Sequence, residues 1–162
     1  MKASKLALMG LAVTLAMILS FVESQIPPLV AIPGIKMGLA NIAVVFALYK
    51  FGWKEAVVIS LVRVFLVGLL FGNFVSIAYS LAGAVCSFLG MVLLKQVPVF
   101  SVVAVSVIGG VLHNVGQIAM ASVLMGTELI RYYLPFLVLS GTLAGVAIGI
   151  AAAIVIKRIK LK

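Results

Sequence analysis

The chain has 162 residues, of which 65% are hydrophobic and 9% charged, and its mean hydropathy is +1.40. A soluble domain carries about 25% charged residues, so this composition excludes an ordinary soluble fold and predicts an all-α integral membrane protein, built from recurring apolar runs of about 17–25 residues. The alternating pattern of a β-barrel is absent. The net charge of +9 does not indicate nucleic-acid binding, because the basic residues lie at the ends of the apolar segments.

We expect one membrane-embedded domain over residues 1–162, folded as a bundle of six transmembrane helices. The first apolar run resembles a signal peptide, but it is long and lacks an A-x-A-like cleavage site, so we interpret it as a retained helix. The six predicted spans are 5–24, 38–50, 54–71, 74–95, 99–125 and 129–156.

Basic residues predict the topology of these spans. With six spans, nine of the twelve Lys and Arg residues fall on one side, which the positive-inside rule assigns to the cytoplasm together with both termini. Lys36 and Arg131 fall on the outer side, as do Glu23 and Glu128. Arg63 lies inside the third span, and we expect its side chain to snorkel towards the cytoplasmic interface.

The first outer connection, "ESQIPPLVAIPGIKMGLANI" (residues 23–42), is apolar and broken by three prolines. Proline cannot continue a helix, and non-helical backbone at membrane depth is tolerated only where it is buried in protein or lines a cavity. The second span that follows is short, since thirteen residues reach about 20 Å against a core of about 30 Å. We therefore predict a cavity near the outer face, capped by this loop.

Polar residues interrupt the fifth span in "GGVLHNVGQIAMA" (residues 109–121). His113, Asn114 and Gln117 are three or four residues apart and are predicted to share a helix face. Asn41 and Glu23 are expected at a similar depth, with Lys36 on the closing loop. These six residues are the candidate substrate-binding set, because intramembrane polar groups usually face a cavity or a substrate path.

A structural interpretation of the same residues stays open. Asn, Gln and His also bridge transmembrane helices, each contributing about 0.6–2 kcal/mol. Glu23, Asn73, Glu128 and Arg131 also fit ordinary residues of the membrane interface.

Catalytic chemistry is missing from the pattern. The chain has no Asp, one His, one cysteine (Cys86) and three separated Glu residues, so it offers no carboxylate dyad, Asp-rich magnesium motif, Cys-rich metal site or P-loop. We expect no catalytic residue, no metal and no cofactor, and no ATP hydrolysis by this chain.

Small residues recur on two helices. Ala12 and Ala16 are four residues apart on the first, and Gly141, Gly145 and Gly149 form a ladder on the sixth. Such faces allow close helix approach. Spacing alone favours packing inside this chain over contact with a partner.

The segments "PGIKMGLANI" and "HNVGQ" resemble the Gx transporter family, also called heptaprenyl diphosphate synthase component I, which is similar to the S components of energy-coupling factor (ECF) transporters. The resemblance covers nearly the whole chain. It implies a subunit of the bacterial cell membrane that binds a vitamin or cofactor-like molecule from outside.

Partners and moving parts also follow from the resemblance. Such a subunit docks on a transmembrane coupling subunit and two ATPases, and the loop between its first two helices gates the pocket. Ala12 and Ala16 match the AxxxA motif that contacts the coupling subunit in S components. The alternative is a non-catalytic accessory subunit in isoprenoid or quinone metabolism that binds a partner enzyme. A prenyl diphosphate synthase catalytic subunit is excluded, because it needs paired Asp-rich motifs.

Overall fold

The computed structural model describes residues 3–25, 38–126 and 129–159, and within these ranges the regular structure is helical. The predicted loop 26–37 lies outside the described residues. The described helices are α1 (Ala3–Gln25), α2 (Asn41–Lys50), α3 (Trp53–Phe71), α4 (Phe74–Lys95), α5 (Val102–Met125) and α6 (Leu129–Arg158).

These helices coincide with the six predicted spans to within about three residues at most ends, as hydropathy patterns allow. Four of them, α1, α4, α5 and α6, are long and apolar enough to cross a membrane. The second helix has only 10 residues, and the third has 19 residues that include Lys54, Glu55 and Arg63. That α2 and α3 also cross the bilayer stays a prediction.

Large apolar side chains cover the outside of the bundle. Leu11, Leu15 and Ile18 of α1 are exposed, as are Leu139 and Leu143 of α6. In a soluble protein such a surface would be an aggregation hazard, whereas hydrocarbon tails solvate it without cost. The distribution of apolar residues therefore fits a bundle surrounded by lipid.

The fifth helix packs closely against both α4 and α6 through glycines. A Cβ added at Gly116 would lie 2.6 Å from the carbonyl oxygen of Ala82 on α4, and one at Gly145 of α6 would lie 2.6 Å from the Cα of Val107. The glycine ladder of α6 thus packs within this chain, as spacing favoured, and it fixes the positions of α4 and α6 around α5.

Two contacts between helix ends involve lysine side chains and lie at the same end of the bundle. The Nζ of Lys5 pairs with Oε1 of Glu55 at 2.5 Å, which joins the starts of α1 and α3. The Nζ of Lys95 donates to the carbonyl of Leu48 at 2.5 Å, which joins the ends of α4 and α2. We call this the basic end. That it faces the cytoplasm stays a prediction of the positive-inside rule.

Replacing Gly145 by Ala tests the close approach of α5 and α6. The new methyl group would meet backbone atoms of Val107 and Ser106, which no rotamer change can move. We expect a loss of about 1–3 kcal/mol in stability, measured as a lower midpoint of thermal unfolding in detergent.

Gly10→Ala is the matched control. Gly10 lies on α1 with nothing within 4 Å of an added Cβ, and Ala is the better helix former by about 1 kcal/mol. Equal midpoints for the two variants would contradict the tight α5–α6 crossing.

Candidate functional site

A small polar cavity lies near the opposite end of the bundle from the basic end, where α1 ends and α2 begins. Its volume is about 10 Å³, which is the lower limit for holding one water molecule. The residues that line it come from α1, α3, α4, α5 and the segment before α2: Ser20, Glu23, Gly38, Arg63, Val64, Val67, Gly68, Ser76, Ser80 and His113.

Gly38 joins three helices at the wall of this cavity. Its backbone N–H donates to Oε1 of Glu23 at 2.5 Å, and its carbonyl accepts from the N–H of Asn41 at 2.9 Å, in the first turn of α2. Its φ of +84° is left-handed, a region that glycine enters without strain. A Cβ here would lie 3.1 Å from Asn41 Nδ2, which is a tight approach, and at an ordinary contact distance of 3.5 Å from His113 Cδ2.

Arg63 lines the cavity, and the expectation that it snorkels is wrong. Its residue is only 6% exposed, and Glu23 lies close enough to act on it electrostatically. Arg63 does not reach the interface because its side chain projects into the bundle and lines the cavity. Glu23 supplies a negative charge there. A buried cation inside an apolar bundle is rare and marks a functional region by default.

The polar cluster of α5 is divided between two neighbours instead of sharing one face. His113 borders the cavity and packs beside Gly83 of α4. Asn114, one residue on, turns to α6, where its Nδ2 donates to the carbonyl of Leu137 at 2.9 Å and to Oγ of Ser140 at 3.2 Å. Because one residue step rotates by about 100° around a helix, adjacent positions on a sandwiched helix meet different partners.

Gln117 is fully buried against α4 and does not line the cavity. Its Cγ would lie 2.9 Å from a Cβ added at Gly83. The burial of Gln117 and the hydrogen bonds of Asn114 both fit the structural interpretation, in which polar side chains bridge transmembrane helices.

The other members of the predicted set have mixed outcomes. Glu23 and His113 line the cavity, and Asn41 is adjacent to it through Gly38. Lys36 lies outside the described residues, as do Glu128 and the side chain of Arg131. Asn73 caps α4 by accepting from the N–H of Ser76 at 2.8 Å, so its position has a structural explanation.

Ala12 and Ala16 are buried within this chain. Ala16 is 0% exposed and clusters with Ala40 and Ala43 at the start of α2, and Ala12 packs in the apolar core that includes Val44. In this conformation the AxxxA face is covered. Contact of this face with a coupling subunit stays a prediction.

Sequence reasoning missed four polar side chains of the cavity: Arg63, Ser20, Ser76 and Ser80. A lone Ser in an apolar helix carries little signal, because Ser often bonds to its own backbone. Arg63 did carry a signal: it is a mid-span cation, and Glu23 ends another span. Charge complementarity between spans would have found it.

The cavity offers binding groups and no catalytic constellation. It presents one guanidinium, one carboxylate, one imidazole and three hydroxyls. No group of three His, Cys, Asp or Glu side chains in the described ranges could hold a metal ion. This donor set fits recognition of a polar molecule.

The fold and the cavity define a class: an all-helical chain with four helices able to cross a membrane, enclosing a small polar site. Within that class, a family model described as heptaprenyl diphosphate synthase component I matches residues 12–155, and the chain belongs to this family. The family is also similar to ECF S components. No curated protein sequence and no solved structure matches the chain.

Gly38→Ala should destabilise the site beyond backbone strain alone. A left-handed non-glycine residue costs about 1–3 kcal/mol, and at Gly38 the methyl group also approaches Asn41 Nδ2 to 3.1 Å. Gly126→Ala is the matched control, because Gly126 has φ +62° with nothing within 4 Å of an added Cβ. We expect a larger drop in thermal midpoint for Gly38→Ala; equal drops would count against tight packing here.

Arg63→Gln should be costly, because it removes a cation beside the buried carboxylate of Glu23. An opposite charge a few ångströms beyond ion-pair contact is worth about 2–3 kcal/mol at an effective dielectric constant of about 20. The double variant Glu23→Gln/Arg63→Gln removes both charges, and the amide oxygen that it introduces on α1 can still accept from the N–H of Gly38. We expect the double variant to unfold at a higher temperature than Arg63→Gln, and additive effects in the double-mutant cycle would contradict the coupling.

Proposed function

We propose that the chain is a membrane-embedded substrate-binding subunit of an ECF-type uptake transporter. It captures a vitamin or cofactor-like small molecule at the cavity and hands it on through a transmembrane coupling subunit and two ATPases. It resides in the bacterial cell membrane with its basic end in the cytoplasm, and it performs no catalysis itself. Membership of the component I family and the similarity of that family to S components support this role.

One observation carries the proposal: polar side chains from four helices converge inside an otherwise apolar bundle. Glu23, Arg63 and His113 are each less than 9% exposed and come from α1, α3 and α5. Burying such groups is costly unless they are paired or used. Convergence of such groups on one cavity is what binding of a polar ligand requires.

The position of the cavity supports entry beside Gly38. Residues 26–37 connect α1 to Gly38, and Gly38 is tied to Glu23 by its N–H. With a volume for about one water molecule, the described conformation is closed. Admission of a larger molecule therefore requires the cavity to enlarge, and the family resemblance implies that the loop between the first two helices opens it.

An accessory role is the second candidate, and the family description favours it. A component I of heptaprenyl diphosphate synthase would bind a partner enzyme in isoprenoid or quinone metabolism. Under that role the buried polar groups stabilise the bundle and bind no small molecule. The two candidates differ in what replacing His113 should do.

His113→Ala and Asn114→Ala form a pair of neighbours that separates binding from stability. His113 lines the cavity, whereas Asn114 bonds to α6. We expect small molecules released from purified wild-type protein to be detectable by mass spectrometry, retained by Asn114→Ala, and lost from folded His113→Ala. Asn114→Ala should instead lower the thermal midpoint, since it removes hydrogen bonds worth about 0.6–2 kcal/mol.

Two other results would favour the accessory role. One is that no small molecule is retained by the wild-type protein and none of a panel of vitamins stabilises it. The other is co-purification of a prenyltransferase that survives both substitutions.

A further inference from the structure

We infer that Arg63 binds an oxyanion, a carboxylate or phosphate group of the transported molecule, through the side-on edge of its guanidinium. This inference rests on the proposed function and deepens it by naming the chemical class of the substrate. It assigns the central binding contact to a residue of α3 rather than to the polar run of α5.

Arg63 carries buried hydrogen-bond donors that a ligand could satisfy. Arg63 is nine-tenths buried, and among the described residues no acceptor lies within hydrogen-bond distance of its Nε or Nη2. Buried donors are normally satisfied, and those left open call for a bound water or ligand. Arg63 lines the cavity, so a molecule placed there can supply the missing acceptors.

The shape of the Arg63 guanidinium favours an oxyanion as the ligand. Nε–H and Nη2–H lie on the same edge of the planar guanidinium and point in parallel. Their spacing matches two oxygens of one carboxylate or phosphate, which gives the bidentate pair that arginine forms preferentially. A lone carbonyl would satisfy only one of the two donors.

The surrounding groups also favour an anion. The cavity includes Ser76 in the first turn of α4, and Gly38 lies three residues before Asn41, the first residue of α2. Helix N-termini carry partial positive charge. Ser20 and Ser80 contribute hydroxyls that can donate to the remaining oxygens.

Glu23 is the negative charge that faces this positive field. It acts electrostatically on Arg63 and accepts the N–H of Gly38. A buried guanidinium without a counter-charge would be costly in the apolar bundle. The same carboxylate repels an incoming anion, which lowers the affinity of the site for an oxyanion.

The test is thermal unfolding of the detergent-purified full chain in the presence of potassium acetate or potassium phosphate, with potassium chloride at matched ionic strength. We expect a saturable rise in midpoint with at least one oxyanion and none with chloride. Acetate alone would identify a carboxylate site and phosphate alone a phosphate site. An effect of both would identify an oxyanion site of broad specificity.

Three variants test whether the parallel Nε and Nη2 donors of Arg63 bind the oxyanion. Glu23→Gln/Arg63→Gln keeps the site free of net charge and should abolish the rise. Arg63→Lys keeps the charge but lacks the two parallel donors. It should therefore raise the half-saturating concentration of the oxyanion about tenfold or more. Ser87→Ala, a buried residue of α4 outside the cavity, should retain the full response.

Three results would overturn the inference: no saturable rise in wild type, a rise that the double variant keeps, or an Arg63→Lys response equal to wild type. A small molecule retained by wild type and lost from His113→Ala, together with any of these, would leave the proposed transport role standing. Absence of any retained molecule would count against the transport role itself.

Discussion

The close contact of α5 with α4 and α6 is the constraint on which the rest of this structure depends. Glycines on both sides of α5 bring helix backbones into contact, and in a membrane, where apolar surface gains nothing by leaving lipid, such packing is a main source of helix association. Because α5 is packed on two sides, each of these polar side chains contacts a defined neighbour. His113 meets the cavity and Asn114 meets α6.

Buried charge gives the site its character. Arg63 and Glu23 lie together inside a bundle whose surface is apolar. Their mutual attraction offsets part of the cost of burying each, and a pair of this kind is poor as a stabilising device because desolvation is so expensive. Under the proposed function, the two charges serve binding rather than folding. The tie from Glu23 to Gly38 connects the pair to the segment between α1 and α2.

Family membership and the packing of α1 against α2 both bear on how this chain could work with partner proteins. A component I family suggests a protein that works with others, and a bundle with a covered AxxxA face suggests that docking and conformational change go together. Ala16 is buried against the start of α2. Contact of a partner with this face stays a prediction.

The sequence by itself determined the helices. Hydropathy and proline positions predicted their number and approximate bounds, and glycine spacing predicted that the α6 ladder packs within the chain, because these are local properties of helices in lipid. The basic residues also indicated which helix ends group together.

Only the tertiary structure decided the membership of the site. The sequence placed His113, Asn114 and Gln117 on one face, but α5 has neighbours on two sides, so a rotation of about 100° per residue sends adjacent side chains to different helices. It also assigned Arg63 to the lipid interface, because nothing local reveals that Glu23 of another helix lies beside it. Which polar groups meet depends on how helices distant in sequence cross, and that is fixed by packing.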